Sequence, residues 1–93
     1  MCEVLSPGKI EGILYFIHSI SDLKNIDITD KIIVIKELDV NTLLYLYGAK
    51  GVIIERGSFL SHVAIFLRES KIPCRIISNI TNKYNHLDKI ILY

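Results

Sequence analysis

A chain of 93 residues is one domain's worth, and with 51% hydrophobic residues it can build a core of its own. The formal net charge is +1, with acids and bases interspersed, which excludes a field strong enough to draw nucleic acid or an anionic membrane. No apolar run reaches the ~18 residues of a membrane span, no leader is apparent, and the cysteines Cys2 and Cys74 lack metal-ligand spacing, so a reduced, cytoplasmic, single-domain chain over residues 1–93 is the expectation.

Ser6-Pro-Gly8 is a turn signal, and Ile13-Leu-Tyr-Phe-Ile17 is a dense strand candidate ending at His18, an exposed terminus rather than a ligand. Ser21 to Ile26 reads as a short helical turn with Ser21 as N-cap. Lys31 to Lys36 carries the β-branched run of a buried strand. Glu37 to Thr42 reads as a loop entering a helix, with Asp39 or Asn41 as cap. That helix runs to Tyr47 and is closed by Gly48. Its stripe of Val40, Leu43, Leu44 and Tyr47 recurs at helical spacing and is expected to pack on a sheet, with Tyr45 facing outward or sitting beside the active turn.

Gly51 to Ile54 reads as a further buried strand and Gly57-Ser58 as a turn. Ser61 is placed to cap a helix over Val63 to Ser70, which Pro73 forces to end near Lys71. Cys74 to Ile77 is a buried strand. Ser78 to Asn85 is a polar, asparagine-rich loop, and His86 beside it could lie near the site, though nothing in the spacing demands it. Leu87 to Tyr93 reads as the last strand. Strands alternating with helices favour an α/β fold with a mixed, largely buried sheet flanked by helices.

This reading puts His62 at the mouth of a helix, behind a small-residue turn. Free amides and the positive end of the dipole gather there. A histidine that takes a phosphoryl group gains about two negative charges, which a helix N-terminus receives well. Neutral imidazole is a competent nucleophile near pH 7. Gly57 and Ser58 would let a phosphate donor approach the backbone. Ser61 could orient the ring, and Arg56 could supply charge-assisted hydrogen bonds. The physical pattern alone also fits a capping or solvated histidine, the commoner occupant of such a place. Glu55 suits a metal, an imidazole or a solvated strand end. Arg68 is about two turns from His62, which suits an ion pair or a docking contact better than a phosphate. A cysteine-based redox or metal protein would need Cys2 or Cys74 beside His62.

The stretch Arg56-Gly-Ser-Phe-Leu-Ser-His-Val-Ala-Ile-Phe-Leu-Arg-Glu-Ser-Lys-Ile-Pro73 resembles the signature of the phosphohistidine, or mobile, domain of phosphoenolpyruvate-utilising enzymes. The pattern there is roughly Gly-Gly-x-x-Ser/Thr/Cys-His-x-Ala-Ile/Val-x-x-Arg-Glu-x-x-Ile/Leu-Pro-Ala-Val. Gly57, Ser61, His62, Ala64, Ile65, Arg68, Glu69, Ile72 and Pro73 match without a gap. Ser58 stands where the second glycine is usual, Cys74 where alanine is, and Ile77-Ser78 where Val-Gly is. Leu87-Asp88 lacks the glycine that related domains carry before the last strand.

The resemblance implies a swivelling β/β/α domain in which His62 carries the phosphoryl group. It also implies that the carrier moves between active sites on nucleotide-binding and pyruvate- or phosphoenolpyruvate-binding domains or proteins. Mg2+ and ATP or phosphoenolpyruvate are then expected on those partners, with no cofactor or metal on this domain. Neither partner site fits into this length, so the chain is a free-standing carrier or a fragment of a longer phosphotransferase. The alternative is a catalytically silent interaction or regulatory module that keeps the fold.

Overall fold

In the computed structural model, residues 2–18, 20–24, 26–36, 44–56 and 61–92 are described, with the backbone alone for Cys2, Glu3, Ile20 and Ser61. Six strands form one mixed sheet: β1 (Cys2–Ser6), β2 (Ile10–Phe16), β3 (Lys31–Ile35), β4 (Gly51–Ile54), β5 (Cys74–Ile77) and β6 (Lys89–Leu92), in the order β1-β5-β4-β3-β2-β6. The inner four are parallel, and β1 and β6 pair antiparallel at the two edges. Parallel strands need crossovers that cover the sheet, so their side chains are buried on both faces. β4 and β5 are buried at every position, whereas the edge strand β6 alternates.

The period-2 alternation of the strands splits the core in two. On one face Ile33, Val52, Ile54, Cys74 and Ile76 meet Leu23 of α1 (Ile20–Lys24), Leu46 of a 3₁₀ turn (Leu44–Leu46), and Val63, Ala64 and Leu67 of α2 (Ser61–Glu69). On the other face Ile32, Val34, Ile53 and Ile77 meet Ile80 of α3 (Ile80–Lys83), with Tyr84 packed alongside. Gly51 is small for a packing reason: a Cβ there would come within 2.9 Å of the Ile10 side chain.

Several elements differ from expectation. β1 was not read from the sequence. It is a short edge strand whose register breaks at a bulge between Val4 and Ser6. Two arginines take up the carbonyls that the broken ladder leaves. Arg68 Nε donates to Leu5 O at 3.0 Å, and Arg75 Nη1 donates to Ser6 O at 2.9 Å and Cys74 O at 3.2 Å. Arg75 Nη2 also donates to Gly8 O, so this side chain, only 4% exposed, fastens the turn after β1 as well.

α1 starts at Ile20, so Ser21 lies inside the helix rather than capping it; the Asp22 carboxylate instead accepts from the His18 amide at 2.9 Å. The expected helix up to Tyr47 is, where described, a 3₁₀ turn. Its tighter winding breaks the 3.6-residue stripe. Leu46 is buried, while Leu44 and Tyr47 face solvent at 78% and 71% exposure. Tyr45 is exposed as expected, with Lys24 Nζ 5.6 Å from its ring centre. Val40, Leu43, Asp39 and Asn41 fall outside the described residues. The loop over Ser78 to Asn85 contains α3, because Ile80 is buried against the sheet; Asn79 enters it with the left-handed φ of 57° that asparagine tolerates. β6 begins at Lys89, after Leu87 takes a φ of 72°.

Candidate functional site

The carboxyl ends of β2, β3 and β4 lie together at one end of the sheet. The ladder between β3 and β4 runs on past the strands: the Glu55 amide donates to Ile35 O at 3.0 Å and the Arg56 amide to Lys36 O at 2.8 Å. Arg56 is therefore held by its backbone while its side chain stays exposed. The next four residues, with Gly57 and Ser58 among them, are outside the described part. The chain re-enters at Ser61, the first residue of α2. That start is one position earlier than a capping role for Ser61 requires, so Ser61 is the first helical residue, not the N-cap, and His62 is the second.

The composition of α2 decides which way His62 looks. Val63, Ala64 and Leu67 are buried at 2%, 1% and 0% exposure and pin one face to the sheet. His62, Ile65 and Glu69 follow at helical spacing on the opposite, exposed face. The amides of Ser61, His62 and Val63 have no carbonyl four residues back within the helix. The first turn of α2 carries no acidic residue, and Arg68 sits in its last turn. Within the helix, then, no first-turn carboxylate offsets the positive end of the dipole.

The far end of α2 is closed firmly. Ile72 N donates to Leu67 O at 2.9 Å and Lys71 N to Arg68 O at 3.2 Å, with Lys71 at a φ of 59°. This is a Schellman closure, sealed by Ile72 and Leu67 in the same apolar cluster and followed at once by Pro73. The proline-driven stop expected near Lys71 is thus met by a specific geometry. Arg68, bonded to the β1 bulge, serves the fold rather than the mouth of the helix.

The other candidate residues are placed elsewhere. Cys74 is fully buried at the amino end of β5, and desolvation pushes its thiol up to about 12, against a smaller opposing effect of Arg75. In the sheet register Cys74 stands opposite Ser6 and Cys2 opposite Ile77. Four residues of strand separate those two positions along β1, on the order of 13 Å, beyond the ~7 Å reach of a disulfide. Among the described residues no group of three or more His, Cys, Asp or Glu could hold a metal. His86 is bound into the sheet margin: its Nδ1 accepts from the Phe16 amide at 3.1 Å, and its ring stands edge-on to Tyr15 at 4.7 Å.

His18 is exposed and lines, with Lys36 and Glu55, a cleft at the carboxyl end of the sheet. Sequence reasoning passes over Lys36. The only available signal is a cation closing an apolar strand at the end where α/β sheets bind ligands.

The family model described as "PEP-utilising enzyme, mobile domain" matches residues 28–92, which include α2 and all of the parallel sheet except β2. No curated protein sequence gives a significant match. Among solved structures, the solution NMR structure of a UPF0107 protein is similar, with a TM-score of 0.70 over 97% of this chain and 88% of that one. The two are 14% identical, so the likeness speaks for the fold alone.

Proposed function

This chain belongs to the family of mobile domains of PEP-utilising enzymes, and from that premise we propose that it is a phosphoryl carrier in which His62 is the acceptor. The observation that carries the reading is the exposed imidazole at the second position of α2, at the acid-free mouth of a nine-residue helix. One ring nitrogen attacks phosphorus in line. The new N–P bond forms as the donor's P–O bond breaks, and the other ring nitrogen releases its proton. The amides of the first turn stabilise the transferring oxygens. Ser61 orients the ring, Arg56 neutralises charge, and Gly57 and Ser58 shape the approach to the backbone. Onward transfer reverses the step on a second acceptor.

A mobile domain implies partner domains. We assign phosphoenolpyruvate, or ATP with Mg2+, to nucleotide-binding and pyruvate-binding partners rather than to this domain. The mixed six-stranded sheet with its helices is consistent with a swivelling β/β/α arrangement, which would suit such shuttling. The test is to incubate the chain with host-cell extract and labelled phosphoenolpyruvate or ATP, then recover it. Acid-labile, base-stable label in the wild type and none in His62→Ala is the expected result. Label that survives His62→Ala removes His62 from the role.

Ser58, where the family pattern has glycine, favours a second reading as a silent module. Its signature would be no label on the wild type and label on Ser58→Gly.

A further inference from the structure

The outer edge of β2 is paired by a strand along only part of its length. Its ladder with β6 runs from Ile10 opposite Leu92 to Ile13 opposite Lys89, which leaves Leu14 to Phe16. The segment before β6 closes that remainder. The Leu14 amide donates to Asp88 O and the Leu87 amide to Leu14 O, both at 2.8 Å. At Phe16 a neighbouring strand would offer a main-chain carbonyl. Here the Phe16 amide donates instead to Nδ1 of His86 at 3.1 Å, with the ring edge-on to Tyr15. An imidazole thus stands in for a carbonyl at the margin of the sheet.

A carbonyl accepts at any pH, but an imidazole nitrogen accepts only while it keeps its lone pair. The closed arrangement therefore requires a neutral ring with its proton on Nε2. A second proton lands on Nδ1 and sets one N–H against another, so the bond to Phe16 is lost. His86 is exposed, and solvent can deliver that proton without opening the core. Its ionisable neighbours are Tyr15 on β2 and, on its own segment, Tyr84, Asp88 and Lys89. The Asp88 carboxylate is already engaged by the Asn85 amide at 2.8 Å, and among the described residues His86 enters no ion pair that would hold the charged ring in place. Leu87, the next residue, sits at a left-handed φ of 72°, a strain that release of the segment relieves.

We propose that His86 is a proton-operated latch on the sheet margin. Neutral, it fastens the segment between α3 and β6 to the end of β2. Protonated, it frees the Phe16 amide and loosens that segment. The latch is independent of phosphoryl transfer at His62, and its failure would leave that reading untouched.

The experiment is amide hydrogen exchange of the 15N-labelled chain, read by NMR from about pH 8 to about pH 5, the range in which imidazoles titrate. Protection of the Phe16 amide, corrected for the intrinsic rate, should fall about threefold to tenfold on acidification, the contribution of one hydrogen bond. The Ile17 amide, which donates to Val34 O inside the sheet, should keep its protection. His86→Asn places a carbonyl oxygen near the position of Nδ1 and should hold Phe16 protected at both ends of the range. His86→Ala should leave it unprotected at both. Equal protection of Phe16 at both ends in the wild type overturns the proposal. So does a pH effect that persists in His86→Asn, since it would then belong to His18, the imidazole two residues beyond Phe16. The wild-type comparison uses the unaltered chain, so it does not depend on any variant folding.

Discussion

Arg75 shows how a single side chain can matter to the fold and stay invisible in sequence. Its partners are carbonyl oxygens of Ser6 and Gly8, nearly the whole chain away, at a bulge that no local pattern announces. Arg75→Leu would leave the buried Ser6 oxygen without this partner and release the Gly8 turn, and a loss of about 2–4 kcal/mol in urea unfolding is expected. Cys74 gives a pH-dependent outcome. Its thiol is raised in the folded state by burial, so folding keeps the proton that the unfolded chain releases. That contribution is intact below the ordinary thiol value of about 8.5 and declines by about 1.4 kcal/mol per pH unit above it. Unfolding measured from pH 8 to 10 should show this slope, and Cys74→Ala should flatten it. Leu87 adopts a φ of 72° with its side chain 57% exposed. Replacing it by glycine removes about 1–2 kcal/mol of left-handed strain and returns part of that to the unfolded chain, so Leu87→Gly should stabilise by about 0.5–1 kcal/mol in the same assay.

At the scale of elements, what could be read ahead of time was whatever depends on neighbours in the chain. The runs at Lys31 to Ile35, Gly51 to Ile54 and Cys74 to Ile77 are strands because β-branched residues buried on both faces fit little else. α2 was legible because apolar spacing, His62 on the opposite face and Pro73 after it all agree. The 3₁₀ turn at Leu44 was not, since a tighter winding exchanges the buried and exposed positions without changing composition. α3 was hidden for a related reason: one buried residue, Ile80, holds it among polar neighbours. The fit between elements is testable at Gly51. A methyl group there meets Ile10, which is wholly buried and has nowhere to move, so Gly51→Ala should destabilise by about 1–3 kcal/mol by thermal or urea unfolding. His62→Ala, on the exposed face of α2, should fall within about 0.5 kcal/mol of the wild type, which is what makes it a clean probe of chemistry.

For the whole molecule, the alternation of strands and helices pointed to a mixed α/β sheet. The strand order and the antiparallel edges depended on contacts that no short stretch encodes. Of the candidate site, the exposed position of His62 in the first turn of α2 was legible, because helix start and apolar face are both local; the Gly57-Ser58 turn lies outside the described residues. The cleft at the sheet's carboxyl end was not, because its walls come from strand ends and a helix far apart in the chain. Everything proposed for the carrier rests on the fold presenting one imidazole to an incoming phosphoryl group. A phosphorus NMR spectrum of the chain, taken after exposure to extract with phosphoenolpyruvate or ATP, tests this without an intermediary. A phosphoramidate resonance is expected in the wild type and should be absent from the equally stable His62→Ala. A wild-type spectrum without that resonance, or a resonance that persists in the variant, would contradict it.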